Sequence, residues 1–400
     1  MEKYTLRINS NVFIWIKGRK GMVYNSLNFK FFRFDVSDKI KEICRELDRP
    51  ENLYTVVLMK TEVDSLSFKT WVENLISIDA ANLELYQKDY LPSLKPILKI
   101  HNDREKVIKN RCYLDVVNSL KEINIHLNGM NLSLEEKDFY KQFLYPTQML
   151  DKELDYYSLI SFLKFIPQKE GVSLNFVGNY CAYSKFKELY NFLNSIKNPV
   201  TFYFRLDDIY FGKDKLKDVI ARFNVHIICK LNKASVSKIK VLSKRITNIS
   251  CSFLVSSKKE IEMLEMLELD NIRFKIVPVF TTNNENFLSE NIYLEEKDCL
   301  NFRVDKRHIF MNKTMNGLFF GNIEILPDGS VWDNLNFEKI GLLHDDFADL
   351  MLAMYKEKGA WFYKREQYPC NKCLYQWLCP PPSNYELVMN KPNLCHIVVD

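Results

Sequence analysis

Hydrophobic and polar residues alternate with a period of two near the start of the chain, and the period then becomes helical. Residues 12–16, 22–24 and 29–34 are typical of short strands, and residues 17–21 carry the glycines of a hairpin turn. After Ser37, apolar side chains recur at i, i+3, i+4 and i+7, which predicts a helix. Its apolar positions are Ile40, Ile43, Cys44 and Leu47. A further strand is predicted at residues 54–59 and a helix at 65–78.

This opening pattern of small strands and short helices predicts a winged-helix-like module over residues 1–95. Two interpretations of the module stay open. It is either a stabilising extension or a peptide-binding module that accepts a strand at an open sheet edge. The second interpretation places that edge at residues 29–34.

From residue 120 the pattern changes to strands that alternate with amphipathic helices. The strands are predicted at residues 123–127, 173–177, 200–205, 225–231, 249–255 and 272–280. The helices between them are predicted at residues 185–196, 213–223, 234–242 and 258–267. Repeated strand–helix units argue for an α/β fold with a parallel sheet, either open or curled into a partial barrel. Ligands in such folds bind at the carboxyl ends of the strands.

Little recognisable chemistry lies at those strand ends. The sequence contains no phosphate-binding loop, no dinucleotide-binding glycine pattern, no nucleophile elbow and no zinc-protease motif. The six histidines are scattered, and His126 and His226 lie inside predicted strands. We therefore expect both to be buried structural residues rather than ligands.

The amino-acid composition limits the classes of protein to which the chain can belong. Of the 400 residues, 47% are hydrophobic and 27% charged, which describes a globular protein long enough for more than one domain. A net charge of +5 with evenly spread lysines gives no reason to expect a nucleic-acid partner. No signal peptide is visible, and no apolar run approaches the roughly 18 residues of a membrane span. We expect a cytoplasmic protein that does not enter a membrane and whose clustered thiols bind metal.

The clustered thiols lie at the end of the chain. Cys370, Cys373, Cys379 and Cys395 have the spacing C-x2-C-x5-C-x15-C. A C-x2-C step lets two sulfurs converge on one ion or cluster, and two further cysteines complete a tetrahedral set. The other six cysteines are far apart and are expected to be small core residues.

A family resemblance rests on this tail and on what precedes it. A strand, the turn Pro327-Asp328-Gly329, a second strand, a helix near residues 345–357 and then C-x2-C-x5-C resemble the SPASM domain of radical S-adenosylmethionine (radical SAM) peptide maturases. The resemblance implies a SPASM-type iron–sulfur domain over residues 313–400 and a partial (β/α)6 barrel over residues 96–312. It also implies that residues 1–95 are similar to the element that holds the leader of a ribosomal precursor peptide.

The chain departs from the family where the chemistry would take place. The radical SAM motif C-x3-C-x2-C should follow the first barrel strand, but its cysteine positions hold Met130, Leu134 and Lys137. An aliphatic side chain and an ammonium cannot ligate iron, and a thioether is a weak substitute. The glycine-rich segment that would bind the cofactor's amino group is reduced to Gly178-Asn179. The resemblance therefore implies a pseudoenzyme that runs no radical reaction.

Of the two auxiliary clusters that a full SPASM domain carries, the resemblance implies that one is lost and one is kept. The lost cluster would need cysteines where this chain has Asn334 and Ser383, and another within residues 313–319, which contain none. The kept cluster would be a [4Fe–4S] cluster on Cys370, Cys373, Cys379 and Cys395. A Zn²⁺ ion on the same four thiolates is the alternative.

The functional hypothesis that follows is a non-catalytic partner subunit of an active radical SAM maturase. It would bind the maturase, the leader of the ribosomal precursor peptide, or both. Two rivals stay open: an electron-transfer protein that uses the remaining cluster, and a zinc-stabilised scaffold.

Overall fold

The computed structural model describes residues 2–87, 93–96, 104–209, 219–244, 249–265, 273–355 and 358–399. Its strands are β1 (Lys3–Ile8), β2 (Val12–Lys17), β3 (Lys20–Asn25), β4 (Phe31–Asp35), β5 (Thr55–Met59), β6 (Ala81–Leu85), β7 (Glu122–His126), β8 (Ser173–Val177), β9 (Val200–Arg205), β10 (Asn224–Lys230), β11 (Ile249–Val255), β12 (Arg273–Pro278), β13 (Asn322–Ile325), β14 (Ser330–Trp332) and β15 (Gly341–Leu342).

The helices of the described residues are mostly short. They are α1 (Asp38–Asp48), α2 (Lys60–Val63), α3 (Leu66–Ser77), α4 (Arg104–Lys109), α5 (Tyr113–Asn118), α6 (Tyr156–Leu163), α7 (Phe186–Ser195), α8 (Lys233–Ser243), α9 (Lys258–Glu265), α10 (Glu285–Asn291), α11 (Glu296–Asn301), α12 (Lys306–Thr314), α13 (Phe347–Ala353) and α14 (Asn384–Val388). None of these helices is long and apolar enough to cross a membrane.

The N-terminal part contains two small antiparallel sheets rather than one. Their strand orders are β5-β1-β6 and β2-β3-β4. Helix α1 begins at the predicted cap, because the Ser37 hydroxyl accepts a hydrogen bond from the backbone N–H of Ile40 at 3.3 Å. Strands β2 to β5 and helices α1 and α3 were predicted from the sequence. Strands β1 and β6 were missed, since β1 pairs with partners about 50 to 80 residues away.

The central element is a nine-stranded sheet with the order β12-β11-β10-β9-β8-β7-β13-β14-β15. Strands β7 to β12 are parallel and follow chain order, and β13 adds to them in parallel beside β7. All six predicted strands are present. The prediction of a mixed α/β fold with a largely parallel sheet is confirmed. The predicted hairpin is present as β13 and β14, and it extends this same sheet.

Helices α5, α6, α7, α8 and α13 pack against one face of the sheet, where they share its main hydrophobic core. Predicted helices are found as α7, α8, α9 and α13, with bounds that differ by a few residues. The helix predicted at residues 213–223 lies mostly outside the described residues. The sequence pattern did not predict α2, α4, α5, α6, α10, α11, α12 and α14. Of these, α10, α11 and α12 follow β12 and precede β13.

Candidate metal centre

The four cysteines singled out from their spacing lie around one cavity. Cys370, Cys373 and Cys379 are buried, and Cys395 is half-buried. The remaining wall is largely apolar and includes Leu294, Leu394 and Ile397. Tertiary structure thus brings together the complete predicted ligand set.

Local backbone turns determine the positions of the first three thiols. Cys370 opens a 3-10 turn, Cys370–Lys372, and the backbone N–H of Cys373 donates to the carbonyl of Cys370 at 3.1 Å. A second turn places Cys379, whose backbone N–H donates to the carbonyl of Tyr375 at 2.9 Å. These turns give the C-x2-C-x5-C spacing its convergent geometry.

The fourth thiol is placed by a contact that is distant in sequence. The backbone N–H of Leu294 donates to the carbonyl of Leu394 at 3.0 Å, and the backbone N–H of His396 donates to the carbonyl of Leu294 at 2.9 Å. This short bridge holds Cys395 beside the segment that precedes α11.

Three of the four sulfurs have a nearby N–H donor. The guanidinium of Arg365 donates to Cys370 Sγ at 3.9 Å, and the side-chain amide of Asn393 donates to Cys395 Sγ at 2.9 Å. The backbone N–H of Tyr375 acts on the Cys373 sulfur. Arg365 is itself buried and is held by Glu386 Oε1 at 2.7 Å. Hydrogen bonds of this kind stabilise thiolates that ligate metal.

Burial opposes ionisation of these thiols when no metal is bound. It raises the pKa of Cys373 to about 11, and it raises the pKa of Cys370 against the opposing effect of Arg365. The pKa of Cys379 is raised well above its ordinary value by the neighbouring Cys299 thiol and then by burial. Metal binding must therefore displace protons from the site.

Cys299 is a fifth thiol that the sequence did not associate with the site. Its sulfur lies 3.3 Å from Cys379 Sγ, and both residues are buried. The sequence predicted Cys299 as a core residue, and its burial fits that prediction, but its place beside the tail does not follow from any spacing. Of the other cysteines predicted as core residues, Cys112 is exposed and Cys181 half-buried.

The donor set can be compared with the two candidate metal groups. Within the described ranges, no three histidine, cysteine, aspartate or glutamate side chains are arranged to hold a metal ion. A zinc ion with Zn–S bonds of about 2.3 Å needs sulfurs about 3.8 Å apart. A four-iron cluster spaces its thiolates more widely. The set of four thiols around one cavity, three of them buried and three with an N–H donor, suits either group, because both are anionic when held by four thiolates.

The N-terminal β2-β3-β4 sheet forms hydrogen bonds with the loop that carries these candidate ligands. Trp15 Nε1 donates to the carbonyl of Leu374 at 2.9 Å. The Lys17 ammonium donates to the carbonyl of Asn371 at 2.9 Å and to Gln376 Oε1 at 2.7 Å. Trp15, Cys373 and Cys379 belong to one hydrophobic cluster. Residues at the two ends of the chain therefore build the site together.

The three positions that replace the radical SAM cysteines are not brought together as a site. Met130 is buried in a hydrophobic cluster with Leu132 and Tyr145. Leu134 is 86% exposed, and Lys137 is also exposed. Gly178, at the expected cofactor-binding segment, has a φ of +112°, and its backbone lies against Asn128.

Asn334 and Ser383, where the second cluster's cysteines would be, lie in one polar network. The side-chain amide of Asn334 donates to Asn384 Oδ1 at 2.8 Å, and Asn384 directly follows Ser383. The Ser383 hydroxyl and backbone N–H bond to Glu386 and cap α14. Two segments 50 residues apart therefore meet where the resemblance places one lost cluster.

The two strand histidines are buried, as expected. Both ring nitrogens of His226 bond to serine hydroxyls, those of Ser250 and Ser252, each at 2.7 Å. His126 Nε2 lies 3.4 Å from Glu324 Oε2, while its Nδ1 has no hydrogen-bond partner among the described residues.

Comparisons with family models and with curated proteins give no match to this chain.

Proposed function

We propose that the chain is a catalytically inactive relative of the radical SAM/SPASM maturases. It would serve as a partner subunit that binds the active maturase, the leader of its precursor peptide, or both. One observation carries the proposal: four thiols, three of them with an N–H donor, converge on one cavity, whereas Met130, Leu134 and Lys137 neither converge nor offer an adequate iron ligand. The domain assignment is a partial (β/α)6 barrel between a winged-helix-like module and a SPASM-type domain.

The proposed loss of catalysis follows from the missing iron ligands. A radical SAM cluster needs three thiolates and one open iron, and the corresponding loop supplies no thiol. The meeting of Asn334 with the segment after Ser383 supports the idea that a second cluster once joined these segments. What remains would be one closed [4Fe–4S] cluster, in a protein that works in the reducing cytoplasm.

Peptide recognition is assigned to the N-terminal module. Strand β4 is an edge strand, because β3 is its partner in the β2-β3-β4 sheet and no other strand pairs with it in the described part of the chain. An edge strand offers unpaired backbone groups to an extended peptide. This edge overlaps the predicted residues 29–34.

The deciding experiment is a pull-down of the anaerobically purified chain with the cognate maturase and precursor peptide. We expect a complex with one or both. Absence of a complex with either would overturn the proposed function. A Cys370→Ser variant separates the electron-transfer rival: if it still binds its partners and supports product formation, the cluster carries no essential electron.

Metal content tests the cofactor independently. We expect iron and acid-labile sulfide near four of each per chain, with the absorption of an iron–sulfur cluster. Zinc at one ion per chain would replace the cluster by the zinc-stabilised scaffold.

A further inference from the structure

A cavity of about 460 Å³ lies on the face of the nine-stranded sheet that faces away from the main helix layer. It is separate from the cysteine site and shares no lining residue with it. Gln142 and Asn334, from connecting segments, and Tyr385 of α14 border it. A volume of this size accommodates a small organic molecule or an amino-acid side chain.

The strands present polar side chains to this cavity. In β7, Ile123 and Ile125 are fully buried in the main core, while Glu122 and Asn124 alternate with them and line the cavity. Asn175 of β8, His226 of β10 and Ser252 of β11 continue the polar surface. Tyr203, Ile228 and Val277 also line the cavity, so its strand wall is part apolar and part polar. An apolar pocket with a few convergent polar groups favours a ligand-binding role.

The sheet curves around the cavity. Lys275 of β12 acts electrostatically on the Glu122 carboxyl of β7. Five strand spacings of about 4.8 Å would separate β12 from β7 along a flat sheet. Curvature brings these side chains to facing walls, and Lys275 stands opposite the carboxylates.

Three carboxylates line the cavity: Glu122, Glu324 and Asp333. Glu324 accepts from the Asn124 side-chain amide at 2.6 Å. Asp333 is 1% exposed; its Oδ2 accepts from the backbone N–H of Ala360 at 2.6 Å, while its Oδ1 has no hydrogen-bond partner among the described residues. Burial raises the pKa of Asp333 to about 6, against the effect of nearby backbone N–H groups, so this carboxyl is mostly ionised at neutral pH.

Positive charge in the cavity is scarcer. Lys141 also lines it, but its ammonium lies 3.6 Å from Asp138 Oδ1. His226 is neutral at physiological pH, because burial lowers its pKa to about 4. Lys275 is then the one ammonium on the wall that has no carboxylate within 4 Å in the described residues, facing three carboxylates.

We infer that this cavity binds an organic cation, a primary ammonium or guanidinium group, which the carboxylates of Glu122 and Asp333 receive. The cation comes either from a free amine or from a lysine or arginine side chain of a peptide. Lys275 repels it and so limits affinity. The inference goes beyond the proposed function, because it requires neither the maturase nor the leader peptide.

The test is calorimetric titration of the intact, metal-loaded chain. Cadaverine represents a free amine, N-acetyl-lysine N-methylamide a peptide side chain, 1-pentanol a neutral analogue and N-acetylglutamate an anion. We expect at least one cationic probe to bind, and the neutral and anionic probes to bind too weakly to measure. Whichever cationic probe binds more tightly identifies the source of the group.

Two variants that should change the affinity for the cation in opposite directions make the test specific to this cavity. No hydrogen bond acts on the Glu122 carboxyl in the described chain, so Glu122→Gln removes charge with little structural effect. It should weaken cation binding about fivefold, and Lys275→Met should tighten it by a similar factor. Glu170→Gln, at an exposed carboxylate outside the cavity, is the matched control and should change nothing. Failure of both cationic probes to bind, an unchanged affinity in Glu122→Gln, or weaker binding in Lys275→Met would each overturn the inference.

Discussion

At the scale of single residues, the cysteines at the candidate centre differ in the groups that their sulfurs contact. Three of the tail cysteines receive an N–H donor, and the fourth, Cys379, contacts the thiol of Cys299. Cys299 does not line the cavity that the four tail cysteines share. We therefore expect it to be a neighbour of the candidate ligand set rather than a member of it.

The first prediction contrasts a ligand with this neighbour. Cys370→Ser should weaken metal retention by more than about tenfold, because an alcohol is a poor ligand for iron or zinc and the cavity would keep three thiols. Cys299→Ser should retain the metal. Metal analysis after gel filtration checks both variants. Equal loss in the two would make Cys299 a ligand, and equal retention would remove Cys370 from the set.

A second residue-scale prediction concerns acid stability. The pKa of His226 is lowered to about 4 by burial and by Lys275, so the unfolded chain binds a proton there more readily than the folded chain. The stabilisation is present above pH 6.5 and is lost as pH falls toward 4. Between pH 7 and pH 5, wild type should lose about 2 kcal/mol of unfolding free energy relative to His226→Gln.

Urea denaturation of both proteins at the two pH values measures this difference. Asp333 works in the opposite direction, because its raised pKa contributes stability at low pH that is lost as pH rises toward 6. Comparing the two proteins at each pH cancels that contribution. If the difference in unfolding free energy between wild type and variant does not change with pH, the assignment of a neutral, buried His226 is contradicted.

At the scale of elements, β2 couples the N-terminal sheet to the ligand loop. Trp15 and Lys17 lie two residues apart and thus on one face of the strand, and both donate to groups of the 371–376 segment. The same sheet carries the β4 edge assigned to peptide binding. The candidate metal centre therefore contacts the sheet on which recognition is proposed to depend.

At this scale we consider variants that each remove one side-chain hydrogen bond between β2 and the 371–376 segment. Lys17→Met should cost about 2 kcal/mol and Trp15→Phe about 1 kcal/mol, since hydrogen bonds from a charged donor contribute more than neutral ones. Lys20→Met is the matched control, because Lys20 forms an exposed pair with Asp35. Hydrogen exchange of residues 12–25 and 370–379 measures the effect. Exchange as slow in Lys17→Met as in Lys20→Met would show that the contact is not stabilising.

At the scale of the whole molecule, three segments distant in sequence converge on one centre. They are β2 to β4 from the N-terminal part, the segment of α11 and α12 after the large sheet, and the C-terminal tail. Phe13 packs edge-on against Phe310 with ring centroids 5.6 Å apart, and Tyr24 donates to the carbonyl of Val304 at 2.9 Å. A metal bound at the candidate centre would therefore stabilise contacts among all three.

Removal of the metal should consequently act beyond the tail. We expect chelation to speed hydrogen exchange in residues 12–35 and 294–312 as well as in 370–399, while β8 and β9 in the large sheet keep their protection. The sheet serves as the internal control. Faster exchange confined to residues 370–399 would show that the metal stabilises only its own loop.

The α/β class, the six parallel strands and the convergence of Cys370, Cys373 and Cys379 could be predicted because each depends on a local pattern, whereas the position of Cys395 depends on its distant pairing with Leu294. Strand periodicity needs about five consecutive residues, and the C-x2-C-x5-C spacing lies within ten. Pairings such as β1 with β5 and β6 could not be predicted, because the partners are far apart and short strands of ordinary composition match many others. Asn393 and Arg365 lie only two and five residues from the cysteines they contact, but no sequence motif marks either side chain as a donor to sulfur.

The amino-acid sequence by itself determined where thiols are present, where they are absent and which segments can form strands, because these follow from residue type and short-range periodicity. Only the tertiary structure decided that Cys299 reaches Cys379, that β2 holds the ligand loop, and that three carboxylates share one cavity with Lys275. Those relations arise when a curved sheet and its connections bring distant residues within a few ångströms, and they depend on the packing of the whole chain.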